Sequence, residues 1–120
     1  FETKGENYFR KFEEKITLKK LKSKPVVISL GGGAFTNRNI RKEVIKNHLS
    51  FWLNWSDKIL VNRIKSSKKR PLVSNASENE IIDLIKKRSN IYSKALYKIE
   101  CDSLTKKEIV KKILNIYEAH

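Results

Sequence analysis

Short β-branched apolar runs alternating with amphipathic, well-capped helices predict an α/β protein built on a parallel sheet. Two buried-strand candidates carry the reading: Pro25 to Leu30 (Pro-Val-Val-Ile-Ser-Leu) and Leu49 to Asn54 (Leu-Ser-Phe-Trp-Leu-Asn). Capping boxes at Ser77/Glu80 and Thr105/Glu108 open two further helices. Gly31, Gly32 and Gly33 follow the first run directly. In parallel sheets, that end of a strand is where ligands bind.

Each element has a local cause. Residues 6–22 are expected to form a helix, with Phe9, Phe12 and Ile16 at helical spacing. Pro25 ends the turn that follows and starts the first strand. Asn37 and Asn39 are both good caps for the next helix, which should turn Ile40, Val44 and Ile45 inward. Ser56 is expected to cap a helix running to about Ser66. Residues 66–76 are polar and break both periods, so they are expected to form a loop. A long helix from Ser77 should reach about Leu96, and Tyr97 to Cys101 should form a third strand. The last helix places Ile109, Ile113 and Ile116 on one face.

The chain has 120 residues, enough for one domain and one core. No apolar run approaches the ~18 residues a membrane span needs. A single cysteine, Cys101, has no internal disulfide partner, which fits a reducing, cytoplasmic setting. No Cys/His cluster has zinc spacing, and no metal-binding residue is assigned. The chain starts at Phe1 and contains no methionine, so a fragment or processed chain is expected.

The net charge of +14 raises the possibility of a basic nucleic-acid-binding module. The lysines, however, fall on nearly every predicted helix, as solvated faces do. Phe9, Phe12, Phe51 and Trp52 sit at core positions and leave Trp55 as the one aromatic placed for exposure. No RNP-like or zinc-knuckle pattern appears, so no specific nucleic acid is expected. Of the 27 basic residues, six are arginines: Arg10, Arg38, Arg41, Arg63, Arg70 and Arg88. These are the informative ones, because a guanidinium offers a rigid fork to carboxylate and phosphate that an ammonium cannot copy.

Four clusters could carry chemistry. The glycine triplet would let a ligand lie against backbone N–H donors, although an ordinary strand-to-helix turn also uses glycine. Arg10 and Glu13 share a helix face, so Glu13 can hold the guanidinium in one rotamer; the plain alternative is a surface ion pair. Arg63 and Arg70-Pro71-Leu72 flank and enter the polar loop, which could be a lid bringing a cation to phosphates or simply a solvated basic stretch. Arg88 stands one turn before Tyr92 on the long helix, where arginines are usually exposed.

Taken together and in this order, these clusters resemble the shikimate kinase family. The matching features are Phe1 and Gly5-Glu6 leading to Phe9-Arg10 and Glu13; Val27-Ile28-Ser29-Leu30-Gly31-Gly32-Gly33-Ala34; the Arg63 to Arg70-Pro71-Leu72 spacing; and Arg88 to Tyr92. The resemblance runs from Phe1 to the last helix. It implies a three-layer α/β fold with a parallel sheet, of the phosphate-loop NTPase and nucleoside-monophosphate-kinase type. It also implies ATP- and Mg²⁺-dependent phosphorylation of the shikimate 3-hydroxyl, on the route to chorismate and the aromatic amino acids, by a cytoplasmic monomer.

By the same resemblance, Arg10 and Arg88 would clamp the shikimate carboxylate. Gly31, Gly32 and Gly33 would meet the substrate, Glu13 would orient Arg10, and Phe1 would wall the pocket. Arg70 would be the catalytic lid arginine that also contacts the nucleotide, and Arg63 would lie against the adenine. The chain would then be a single incomplete domain over 1–120, with a shikimate-binding part at 1–40 and a lid at 66–76. The family's first strands, its Gly-Lys-Ser/Thr phosphate loop and its Asp pair have no counterpart here. The main ligands for Mg²⁺ are therefore expected in the missing N-terminal segment, and the fragment alone is expected to be inactive. A gluconate-type or other small-molecule phosphate-loop kinase is the nearer alternative, and a remnant that only binds the acid is a third.

Overall fold

The computed structural model describes residues 5–66 and 77–120. The chain divides into two compact units, Phe1–Ser50 and Phe51–His120, and each is described by itself.

In the first unit, helix α1 spans Gly5–Leu21. Glu6 in its first turn and Lys19 and Lys20 in its last complement the helix dipole. A short 3-10 turn, Ala34–Thr36, follows the glycines and leads into helix α2, Arg38–Asn47. The Asn37 side chain caps α2 by accepting from the N–H groups of Asn39 and Ile40, at 2.9 and 3.0 Å. The core here is small: Ala34 and Phe35 from the turn, Ile40 and Val44 from α2.

Three expectations fail in this unit. Residues 25–30 form no ladder, and Val26 and Val27 are exposed, Val27 completely. A strand exists through a hydrogen-bonded neighbour, and the described residues supply none to this segment. The Phe9, Phe12 and Ile16 face of α1 is exposed, and no residue of α1 is fully buried. α1 is tied to α2 by a 2.6 Å bond from Asn39 Nδ2 to Glu14 Oε1. Ile45 of α2, expected inside, is also exposed.

In the second unit, strands β1 (Phe51–Asn54) and β2 (Tyr97–Glu100) form a parallel pair. The register sets Phe51 opposite Tyr97 and Leu53 opposite Ile99. The rings of Phe51 and Tyr97 stack at 5.5 Å. The pairing continues past the strands. Cys101 N–H donates to Asn54 O at 2.8 Å, and Ser56 N–H donates to the Asp102 carboxylate at 2.8 Å.

Helices α3 (Asp57–Ser66) and α4 (Glu78–Tyr92) lie between the strands in sequence, and α5 (Lys106–Ala119) follows β2. Both predicted capping boxes are present, Ser77 with Glu80 and Thr105 with Glu108. α4 stops at Tyr92, four residues short of the expected end, because Lys94 and Ala95 N–H donate three residues back, to Ile91 O and Tyr92 O, and close a turn. Val61 packs with Ile81 and Ile85 between α3 and α4. Ile99, Cys101 and Ile109 form a second cluster against which Phe51, Trp55 and Leu104 pack. Burial raises the pKa of the Cys101 thiol.

Candidate functional site

The first unit builds a charged seat. Arg10 Nη1 donates to Glu13 Oε1 at 2.9 Å, and Arg10 Nη2 lies 3.8 Å from Glu6 Oε1. Glu6 and Glu13 stand on the two helical turns either side of Arg10, so the guanidinium is held from both directions along α1. The pair is partly withdrawn from water, with side-chain exposures of 31% for Arg10 and 18% for Glu13.

The glycine turn lies against this pair. Gly33 has φ −95° and ψ −12°, a backbone that any residue can adopt. Its need for glycine is spatial. A β-carbon there would fall 2.7 Å from Arg10 Cζ and 2.8 Å from Nη2. At Gly31 a β-carbon would sit 3.5 Å from Glu13 Oε2, an ordinary contact. Gly31 and Gly32 are exposed, and Gly33 is buried.

The turn is itself anchored. Ala34 N–H donates to Gly31 O at 3.0 Å, and the Thr36 hydroxyl donates to Gly33 O. Arg41 Nη1 donates to both Phe35 O and Thr36 O, at 3.1 Å each. Nothing in the sequence around Arg41 marks it for this role. Its task is to satisfy the carbonyls at the end of the 3-10 turn.

The second unit carries a groove that runs from Leu53 in β1 past Trp55 to Ile113 of α5. It is open to solvent, with a volume of about 650 Å³, and its lining includes Trp55, Arg63, Leu104, Lys106, Ile109 and Val110. Arg63 reaches back from α3 so that its Cζ stands 4.7 Å above the Trp55 ring. Trp55, expected to be exposed at a strand end, is half-buried and carries a cation on its ring. The signal for this pairing was weak: an aromatic closing a strand, and an arginine eight residues on.

Arg88 is half-buried on α4, and none of the ion pairs among the described residues uses it. Arg10, Glu13 and the glycines thus gather in one unit, while Arg63 and Arg88 belong to the other. Phe1, Arg70 and residues 67–76 of the predicted lid lie outside the described residues.

A profile of the family described as shikimate kinase matches residues 1–118. The chain belongs to the shikimate kinase family. A curated shikimate kinase from Bartonella henselae is 34% identical over 115 residues, which cover 95% of this chain and 55% of that protein. One from Sulfurihydrogenibium sp. (strain YO3AOP1) is 36% identical over 114 residues, 95% of this chain and 68% of that protein. The crystal structure of the shikimate kinase from Bacteroides thetaiotaomicron matches with a TM-score of 0.76 at 26% identity, over 99% of this chain and 71% of that one. The chain therefore spans little more than half the length of its Bartonella henselae relative.

Membership of the shikimate kinase family confirms the α/β, phosphate-loop NTPase class expected from the sequence, with the parallel β1–β2 pair as its described sheet. No helix among the described residues is long and apolar enough to cross a membrane.

Proposed function

We propose that the protein to which this chain contributes transfers the γ-phosphoryl group of ATP to the 3-hydroxyl of shikimate, and that these residues supply the acid-recognition part and one wall of the nucleotide site. The observation that carries this reading is the Arg10–Glu13 pair seated on the Gly31–Gly33 turn in a member of this family. A guanidinium held by carboxylates on its own helix is preset to present its remaining N–H donors to a ligand carboxylate. Charge-assisted bonds of this kind contribute roughly 1.5–3 kcal/mol each. Arg88 is the proposed second arm, with Gly32 offering backbone and Phe1 a wall. Arg63 is proposed to face the adenine, and Arg70 to reach the phosphates as the catalytic cation.

ATP would bring Mg²⁺ with it. Among the described residues no three His, Cys, Asp or Glu side chains come together. The 120 residues contain no Gly-Lys-Ser/Thr run either. The phosphoryl-transfer step would depend on residues beyond those described, and the contribution proposed here is binding and orientation. A cytoplasmic monomer is the setting this reading proposes.

The test is titration of the chain with shikimate, followed by calorimetry or by ¹H–¹⁵N spectra of the arginine side chains. Saturable binding that perturbs Arg10 and is lost in Arg10→Ala supports the acid site. Binding that is unchanged in that variant refutes it. Shikimate-dependent ADP release, measured with a phosphate-loop segment of a relative placed before Phe1, tests the transfer reaction. Release that proceeds equally well with gluconate would favour the alternative kinase.

A further inference from the structure

We infer that Trp55 is a positioning residue for the nucleotide: its indole holds the Arg63 guanidinium flat, as the bottom layer of a three-layer stack of indole, guanidinium and purine. The inference rests on the proposed reading that Arg63 faces the adenine. It adds a residue that neither the sequence motifs nor the family resemblance assigns.

The geometry begins at the end of β1. The backbone on both sides of Trp55 is tied to the segment after β2: Asn54 O accepts from Cys101 N–H, and Ser56 N–H donates to Asp102. The indole packs on the Ile99, Cys101 and Ile109 cluster. Trp55 is therefore fixed at its root and along one side.

Arg63 is the opposite case. It is an exposed residue on α3, with a long side chain that would ordinarily sample many rotamers. None of the ion pairs among the described residues involves it. Its described contact is the indole, at 4.7 Å. A guanidinium resting on an aromatic ring keeps its opposite face and its edge donors available.

The groove suits a flat, partly apolar anion. Leu104, Ile109 and Val110 give it apolar walls, Arg63 and Lys106 give it two cations, and none of the described residues that line it is acidic. Its volume of about 650 Å³ lies in the range of small-ligand sites. A purine laid on the outer face of Arg63 would stack as bases do on arginine planes. Trp55 would act through Arg63, by removing rotamers in which the guanidinium swings into solvent.

Adenosine is the probe, because it reports on the base site without a phosphate loop. It would be titrated into the 120-residue chain, with Trp55→Leu, Trp55→Phe, Arg63→Ala and the Trp55→Leu/Arg63→Ala double variant in parallel. The expected result is a loss of about fivefold in adenosine affinity for Trp55→Leu, the scale of one cation–π contact. Trp55→Phe should restore most of it, shikimate affinity should not move, and the double variant should match Arg63→Ala.

A loss in Arg63→Ala without any loss in Trp55→Leu overturns the role of Trp55 and leaves the nucleotide reading standing. An unchanged affinity in Arg63→Ala removes the nucleotide reading of this groove and the inference with it. Should Trp55→Leu fail to fold, the Arg63 Nε–H resonance of the native chain decides the matter. The indole face should shift it upfield, and a random-coil position overturns the proposal.

Discussion

The guanidinium of Arg10 fills the space that a β-carbon on Gly33 would require, 2.7 Å from Cζ. The third glycine of the triplet is thus explained by a side chain of the protein itself. Its neighbours Gly31 and Gly32 are exposed.

Gly33→Ala should separate binding from folding. The backbone at Gly33 suits alanine, and Gly-to-Ala changes at compatible sites stabilise by about 0.4–1 kcal/mol. The atoms that must yield belong to the far end of a flexible side chain. Urea unfolding should therefore change by less than about 1 kcal/mol. Shikimate affinity should fall about tenfold, because Arg10 loses its seat; a factor of ten corresponds to about 1.4 kcal/mol, close to one charge-assisted bond. Undiminished affinity in a folded Gly33→Ala variant would contradict the clamp assignment.

Arg10→Lys keeps the charge and removes the fork. With the ion pair partly exposed, its stability effect should stay below about 1 kcal/mol. Shikimate affinity should nevertheless drop at least about tenfold, since an ammonium cannot hold Glu13 and a ligand carboxylate with planar geometry. Glu13→Gln should give a smaller loss of the same kind. Calorimetric titration of the three proteins, wild type included, would show whether this order holds.

How far the sequence foretold these relationships depended on how local each one is. The boxes at Ser77/Glu80 and Thr105/Glu108 were legible because every partner lies within four residues. The spacing of Phe9, Phe12 and Ile16 identified a shared face, but it carried no information on whether anything covers that face. For Pro25 to Leu30 the composition is that of a strand, yet pairing is non-local and the described residues supply no partner. At the site, the triplet announced a close approach without saying whose atoms approach. The Trp55–Arg63 contact needed the turn of the chain from β1 into α3 to be seen.

Acid should loosen the start of α5. Glu108 accepts from Thr105 N–H at 2.9 Å, and the backbone and hydroxyl of Thr105 hold its carboxyl below the usual pKa. A carboxylate with a folded pKa below its unfolded value stabilises above that unfolded value, about 4.3 for Glu. The contribution is lost as pH falls through the lower, folded value. Urea midpoints followed from pH ~6 to ~3 should fall less steeply in Glu108→Gln than in the wild type. Parallel profiles would mean that the box does not titrate with folding.

Cys101 should resist alkylation. It is 1% exposed, burial raises its thiol pKa, and Sγ donates to Ile99 O at 3.2 Å. Iodoacetamide labelling at pH 8 should be slow in buffer and speed up only as urea opens the Ile99–Cys101–Ile109 cluster. Labelling at a free-thiol rate in buffer would show that the cluster opens readily under native conditions.

The bond from Asn54 to Glu100 joins residues 46 apart in sequence, and every rung between β1 and β2 spans a comparable stretch. Helices can nucleate within their own few turns, whereas this ladder repays nothing until a long segment has been closed into a loop. The second unit should therefore acquire helical circular dichroism before it fixes the Phe51–Tyr97 stack, with strand pairing as its slow step. On a ribosome, the 51–54 segment would wait with its edges bare until residue 97 emerges, an interval in which a chaperone has something to hold.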